Sequence, residues 1–224
     1  MRYFSPREIV LWCSSVALIV LSYAVFDRGS ILTLIASLIG VTSLIFCAKG
    51  NPAGQLLMII FSLFYGYISW TFSYYGEMTT YLGMTAPMAL FALISWLRNP
   101  YDGNRSQVRV SRMTGRDVLV AVGLAVPVTA LFYFILRSLG TANLIPGTIS
   151  VTTSFFGVWL TYKRSPWFAL AYAANDVVLI VLWVLASFAD SSYISVVVCF
   201  AVFLVNDIYG FISWLKMEKS QMSK

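Results

Sequence analysis

There is no histidine in this chain of 224 residues. That absence removes haem ligation, zinc hydrolysis and every Ser-His or Cys-His catalytic arrangement. Charge is scarce as well: 11% of the residues are Asp, Glu, Lys or Arg, against roughly a quarter in soluble domains. The three cysteines, Cys13, Cys47 and Cys199, stand singly in separate apolar runs, so neither a metal site nor a disulfide framework is indicated. No G-x-x-x-x-G-K-[ST] occurs, so the chain itself has no loop for ATP. No lysine lies inside an apolar run, which excludes a retinal Schiff base. No cofactor is implied.

What is present is apolar surface, 59% of the residues, arranged in runs long enough for a bilayer. Eight runs predict transmembrane helices near 8–26, 31–48, 52–75, 79–97, 117–138, 143–162, 166–187 and 192–215. Gly, Pro and acidic residues mark the gaps, as at Gly50-Asn51-Pro52, Gly76-Glu77 and Ser165-Pro166. An even count places both termini and the second, fourth and sixth loops on one side. Thirteen Lys and Arg fall there, from Arg2 to Lys224, and only Arg28 and Arg137 fall opposite. The positive-inside rule therefore makes both termini cytoplasmic, in the cell (inner or plasma) membrane. The net charge of +6 answers anionic headgroups without nucleic acid. A rival reading treats the first span, with Ser22-Tyr23-Ala24, as a cleaved signal peptide.

Four landmarks recur in register. Lys49-Gly50-Asn51-Pro52 matches Lys163-Arg164-Ser165-Pro166, and Trp70 matches Trp183. Ile94-Ser95-Trp96-Leu97 matches Ile212-Ser213-Trp214-Leu215. The expected fold is all-α, a polytopic membrane protein of two parallel three-helix repeats joined by a linker helix (3+1+3), plus an N-terminal helix. The expected divisions are 1–30 for the first helix, 31–98 for the first bundle and 99–142 for the basic loop and linker. The second bundle follows at 143–216, with a cytoplasmic tail at 217–224.

Two carboxylates lie at membrane depth, Asp176 and Asp207, each preceded by asparagine, Asn175 and Asn206. Such groups are expensive in hydrocarbon and mark function by default. Helical spacing sets Tyr172, Asn175, Asp176, Leu179 and Trp183 on one broad face. Asn206, Asp207, Gly210, Ser213 and Trp214, with Tyr209 beside them, form a second strip, Gln55, Ser62, Tyr65, Ser69 and Trp70 a third, and the sixth span carries a hydroxyl run from Thr148 through Ser154. Amides, hydroxyls and aromatic faces suit a small, weakly polar or cationic solute with a flat ring. The candidate substrate-binding residues are Asn175, Asp176, Trp183, Asn206, Asp207, Tyr172, Tyr209, Tyr65 and Trp70. Trp96 and Trp214, at span ends, are expected as interface anchors. Gly66, Gly83 and Gly210 are expected as close-packing positions.

The stretch from Ser165-Pro166-Trp167 through Asn175-Asp176 to Trp183, and Asn206-Asp207-Ile208-Tyr209-Gly210 up to Trp214, resembles the nicotinamide riboside transporter (PnuC) family. The basic segment after Trp96-Leu97-Arg98-Asn99-Pro100 fits it too, whereas Ala171-Tyr172 stands where relatives often carry another Trp. The resemblance implies two three-helix bundles with SWEET-like architecture. It also implies facilitated uptake of nicotinamide riboside, with Asn175, Trp183 and Asn206 on the ligand and Asp176 and Asp207 lining or supporting the site. Close relatives carry thiamine or riboflavin, so those vitamins are alternative substrates. A proton-coupled carrier using Asp176 and Asp207 is the other alternative. An intramembrane aspartyl protease would also set two Asp on adjacent helices, but its Gly-x-Gly-Asp setting is absent, and no enzyme is expected. The expected partners are a small-molecule substrate and the lipid bilayer, and a homo-oligomer is left open.

Overall fold

The computed structural model describes residues 3–71, 75–141 and 143–223; Arg2 and Lys224, counted above among the basic residues, lie outside them. Eight helices are long and apolar enough to cross a bilayer. They are α1 (Pro6–Phe26), α2 (Ile31–Ala48), α3 (Pro52–Thr71), α4 (Tyr75–Arg98), α5 (Gly115–Ser138), α6 (Leu144–Tyr162), α7 (Trp167–Ser187) and α8 (Ile194–Met222). The segment 217–224, expected as a tail, continues α8 as far as Met222.

Local chemistry sets the helix ends. Ser5 and Glu8 form a reciprocal capping box at the start of α1, with Pro6 in the first turn, and Thr114 with Asp117 does the same for α5. Helix α4 is interrupted by a π turn over Tyr81–Thr85. Pro87 follows two residues later and has no N–H for the carbonyl one turn back, which favours a local rewinding at this point.

Six helices close into a ring. Neighbours in sequence pack as antiparallel pairs, α2 with α3, α3 with α4, α6 with α7 and α7 with α8. Two further contacts complete the circle, α2 against α8 and α4 against α6. Helix α1 lies outside, against α2 and α8, and α5 lies outside against α6. Only 17% of the apolar window of each of these two is buried, so lipid must cover the rest.

The face carrying the termini is tied across the ring by the recurring Ser-Trp pairs. Trp96 Nε1 donates to the Thr161 carbonyl (2.9 Å) and Ser95 Oγ to that of Tyr162 (3.0 Å), at the end of α6. Trp214 Nε1 donates to the Cys47 carbonyl (2.7 Å) and Ser213 Oγ to that of Ala48 (2.8 Å), at the end of α2. The last carbonyls of a helix have few partners within it, and here those of Cys47 and Thr161 accept both from the turn that follows and from the other half of the chain. The two indole rings meet at 5.3 Å, and Phe168 packs edge-on against Trp214 at 4.9 Å. Trp96 and Trp214 are thus fully buried cross-ties, not the interface anchors expected from their place at span ends.

The basic segment adds a small antiparallel hairpin, β1 (Pro100–Tyr101) with β2 (Asn104–Val108), which the helical reading did not anticipate. Its buried Val108 donates to the Gly50 carbonyl (2.9 Å), and Ser111 donates to that of Arg164 (3.0 Å). Gly50 and Arg164 occupy equivalent places after α2 and α6, both left-handed, with φ of 65° and 59°. Glycine adopts that conformation freely, whereas arginine is strained in it. Burial first, and the neighbouring Arg109 second, hold the Arg164 guanidinium below its ordinary pKa.

Candidate functional site

The interior of the ring is an aromatic cluster from α3, α4 and α8. Tyr65 and Tyr81 lie 4.7 Å apart between ring centres; Phe61 packs against both, Phe200 against Tyr65 and Phe203 against Phe61, at about 5 to 6 Å. Gly40 leaves this room, because a Cβ there would sit 2.5 Å from Phe203. Among the glycines expected to give close packing, Gly66 does so, its absent Cβ falling 2.5 Å from Leu82. Gly210 faces Ala169 and Ala48, and Gly83 faces Thr79, at ordinary contact.

Two cavities flank the tyrosine pair. One, of about 410 Å³, is lined by Thr33, Tyr65, Ser69, Trp183, Tyr193 and the Asp27–Ser30 turn, with Trp183 and Tyr193 rings 5.3 Å apart. The other, of about 240 Å³, is lined by Glu77, Thr80, Tyr81, Ser150, Ser154 and Leu179, and reaches Thr141 and Asn143. Both involve loops of the face opposite the termini. Hydroxyls, one amide and aromatic rings make them suited to a flat, hydrogen-bonding solute.

The residues expected at the site divide into three groups. Tyr65 and Trp183 line the larger cavity. Asn175 sits behind the smaller one, its Oδ1 accepting from Ser150 Oγ (3.1 Å) and Thr153 Oγ1 (2.8 Å) of α6. Asp176 and Asp207 are brought side by side across α7 and α8. Tyr172 lies beside them, reaching Thr161, and Gly157 makes room for its ring. Closeness meets one requirement of an aspartyl protease, but neither Asp lines either of these two cavities.

The third group lies away from the cavities. Asn206 turns to the outer helix α1, its Nδ2 donating to Ser15 Oγ (2.9 Å) and to the Val202 carbonyl (2.9 Å). Tyr209 donates to Glu8 (3.2 Å), which also pairs with Lys49 (3.3 Å), near the face of the termini. Trp70 is 55% exposed and packs only against Tyr67 among the rings described. It shares the helix of Tyr65, but five residues put it on the opposite side. The position match of Trp70 with Trp183 therefore does not extend to their surroundings. The structure adds Tyr81, Glu77, Ser150 and Ser154; Glu77 was read as a gap between spans, and Tyr81 lay within the expected span 79–97.

Comparison with known proteins bears on this arrangement. The profile of the nicotinamide mononucleotide transporter family matches residues 30–216, most of the chain. This chain belongs to the PnuC transporter family. The nicotinamide riboside transporter PnuC of Neisseria mucosa is 27% identical over 201 residues, 87% of this chain and 76% of its own. The nicotinamide riboside transporter PnuC of Haemophilus influenzae is 22% identical over 219 residues, 96% of this chain and 92% of its own. A crystal structure of the vitamin B3 transporter PnuC superposes with a TM-score of 0.84 at 24% identity, covering 97% of this chain and 94% of that one. The PnuC relatives are transporters rather than enzymes, and this chain is a multi-pass membrane protein of that family.

Proposed function

We propose that this chain carries nicotinamide riboside across the cell membrane by facilitated diffusion through alternating access, with both termini cytoplasmic. In this reading α2–α4 and α6–α8 are two parallel three-helix repeats in a 3+1+3, SWEET-like arrangement, joined by α5, with α1 appended. One observation carries it: Tyr65, Tyr81 and Trp183 sit between cavities that open on one face, while paired Ser-Trp ties close the ring on the other. That is the geometry of a site reachable from one side, as alternating access requires at each half of its cycle. The name of the matched family speaks of the mononucleotide. A phosphate would want cations, yet Glu77 occupies the smaller cavity, which favours the riboside.

Titration calorimetry of the purified protein with nicotinamide riboside, thiamine and riboflavin tests this reading. The riboside is expected to bind selectively. Trp183→Ala should weaken it roughly tenfold or more, since ring stacking contributes about 1–3 kcal/mol and about 1.4 kcal/mol is tenfold. Selective binding of another vitamin would replace the substrate and keep the site; unchanged affinity in a folded Trp183→Ala protein would remove Trp183 from it. The Asp176–Asp207 pair supports a second reading, a proton-coupled carrier, because two carboxyl groups lie side by side and buried at membrane depth. Transport that collapses when a pH gradient is dissipated would favour that one.

A further inference from the structure

Glu77 stands in the first turn of α4, where buried Gly76 lets that helix approach α5: a Cβ on Gly76 would lie 2.6 Å from Leu136 and 2.9 Å from Thr141. Both carboxylate oxygens of Glu77 are buried, and neither has a hydrogen-bond partner among the described residues. None of the ion pairs among those residues includes it, and no lysine or arginine lines its cavity. A carboxylate taken out of water without a partner is among the costliest groups a protein can hold. Structural packing does not require one here, because a glutamine or methionine would fill the same volume. What the position does offer is access: the side chain borders an open cavity of about 240 Å³.

The cavity's other walls fit a cation with a flat ring. Tyr81 follows Glu77 by one turn and opens the π segment, so its ring lies over the same cavity and beside Tyr65. Aromatic faces attract positive charge, and Thr80, Ser150 and Ser154 supply hydroxyls around it. Nicotinamide riboside is such a molecule, since glycosylation of the ring nitrogen leaves a permanent positive charge on the pyridinium. Its one-hydride-reduced form, the dihydropyridine riboside, has the same ribose and carboxamide and no charge.

We infer that Glu77 is the counter-charge that selects the cationic pyridinium riboside over uncharged nucleosides of the same shape. The inference rests on the riboside reading given above. Calorimetry with oxidised and reduced nicotinamide riboside, on the wild-type protein and on Glu77→Gln, tests it. The wild type is expected to bind the oxidised form at least tenfold more tightly than the reduced. Glu77→Gln should bring the two affinities together by weakening the oxidised form alone, with the thermal midpoint unchanged or raised. Should the glutamine variant not fold, Glu77→Ser supplies the same neutral comparison.

A wild type that binds both forms equally overturns the inference and leaves the riboside reading intact. A wild type that binds neither overturns both. A preference that survives Glu77→Gln assigns the charge selection elsewhere, and equal weakening of both forms makes Glu77 a packing residue; either result overturns the inference.

Discussion

Trp214→Ala is expected to lower the stability of the folded protein by about 3–5 kcal/mol, the cost of emptying a fully buried tryptophan site. Its side chain is 0% exposed and packs on Trp96 and Phe168. Truncation also leaves the Cys47 carbonyl, in the last turn of α2, without the donor it meets at 2.7 Å. Trp214→Phe separates the two contributions. It keeps most of the ring and deletes the N–H, and the Cys47 carbonyl keeps the Gly50 N–H at 2.9 Å, so about 0.5–1.5 kcal/mol should be lost for the one hydrogen bond. Trp96→Phe should behave alike at the Thr161 carbonyl. Because the rings touch, the double variant should not be additive. Thermal unfolding in detergent, followed by far-ultraviolet circular dichroism, measures all four variants. A Trp214→Phe protein as stable as the wild type would show that the cross-tie holds nothing.

Gly54→Ala is the second large effect, and its sign can be read against a control. A Cβ at Gly54 would lie 2.6 Å from Cys47 Sγ, 2.7 Å from the Cys47 backbone nitrogen and 3.0 Å from the Ser43 carbonyl oxygen. Two of these atoms are backbone, so no rotamer change relieves the clash. Helices α2 and α3 would have to separate, and the bond from Ser43 Oγ to the Gly54 carbonyl (2.9 Å) would stretch with them. Overpacking of this kind costs about 1–3 kcal/mol, and the weakened hydrogen bond adds roughly 1 kcal/mol. In Gly123→Ala the same methyl meets nothing within 4 Å, so a helix-interior glycine is removed and about 0.5–1 kcal/mol should be gained. The same thermal assay reads both variants. A Gly54→Ala protein as stable as Gly123→Ala would contradict the close approach of α2 to α3.

The eight spans were legible because a bilayer demands about 20 apolar residues in a row, and such runs are a local property. The expected ends of α2, at 31 and 48, are those observed, and most others fall within a few residues. The partners of each helix were not local, and here the reading stopped short. The Ser-Trp pairs were visible as a recurring pattern, but an aromatic at a span end can face headgroups or a neighbour's carbonyls, and sequence spacing does not separate the two. Trp70 is a related case: its likeness to Trp183 was one of position along the chain, while its direction around α3 leaves it 55% exposed. Asn206 was placed on an inward strip, and the structure gives it to Ser15 of a helix outside the ring.

Glu77 shows the converse case. A glutamate beside glycine looked like a loop, because α4 begins only two residues earlier at Tyr75 and is rewound over Tyr81–Thr85. The available signal was the four-residue spacing from Glu77 to Tyr81, one turn of helix. The contact between Asp176 and Asp207 could not be read from either strip alone, since it depends on how α7 and α8 are rotated against each other.

Uptake of radiolabelled nicotinamide riboside into liposomes containing the purified protein, without any ion gradient, addresses the transport reading most directly. Saturable uptake is expected, well above empty liposomes, levelling at equal concentrations inside and out and insensitive to an imposed pH gradient. Uptake no faster than into empty liposomes, or accumulation only when a pH gradient is applied, would contradict facilitated transport of the riboside.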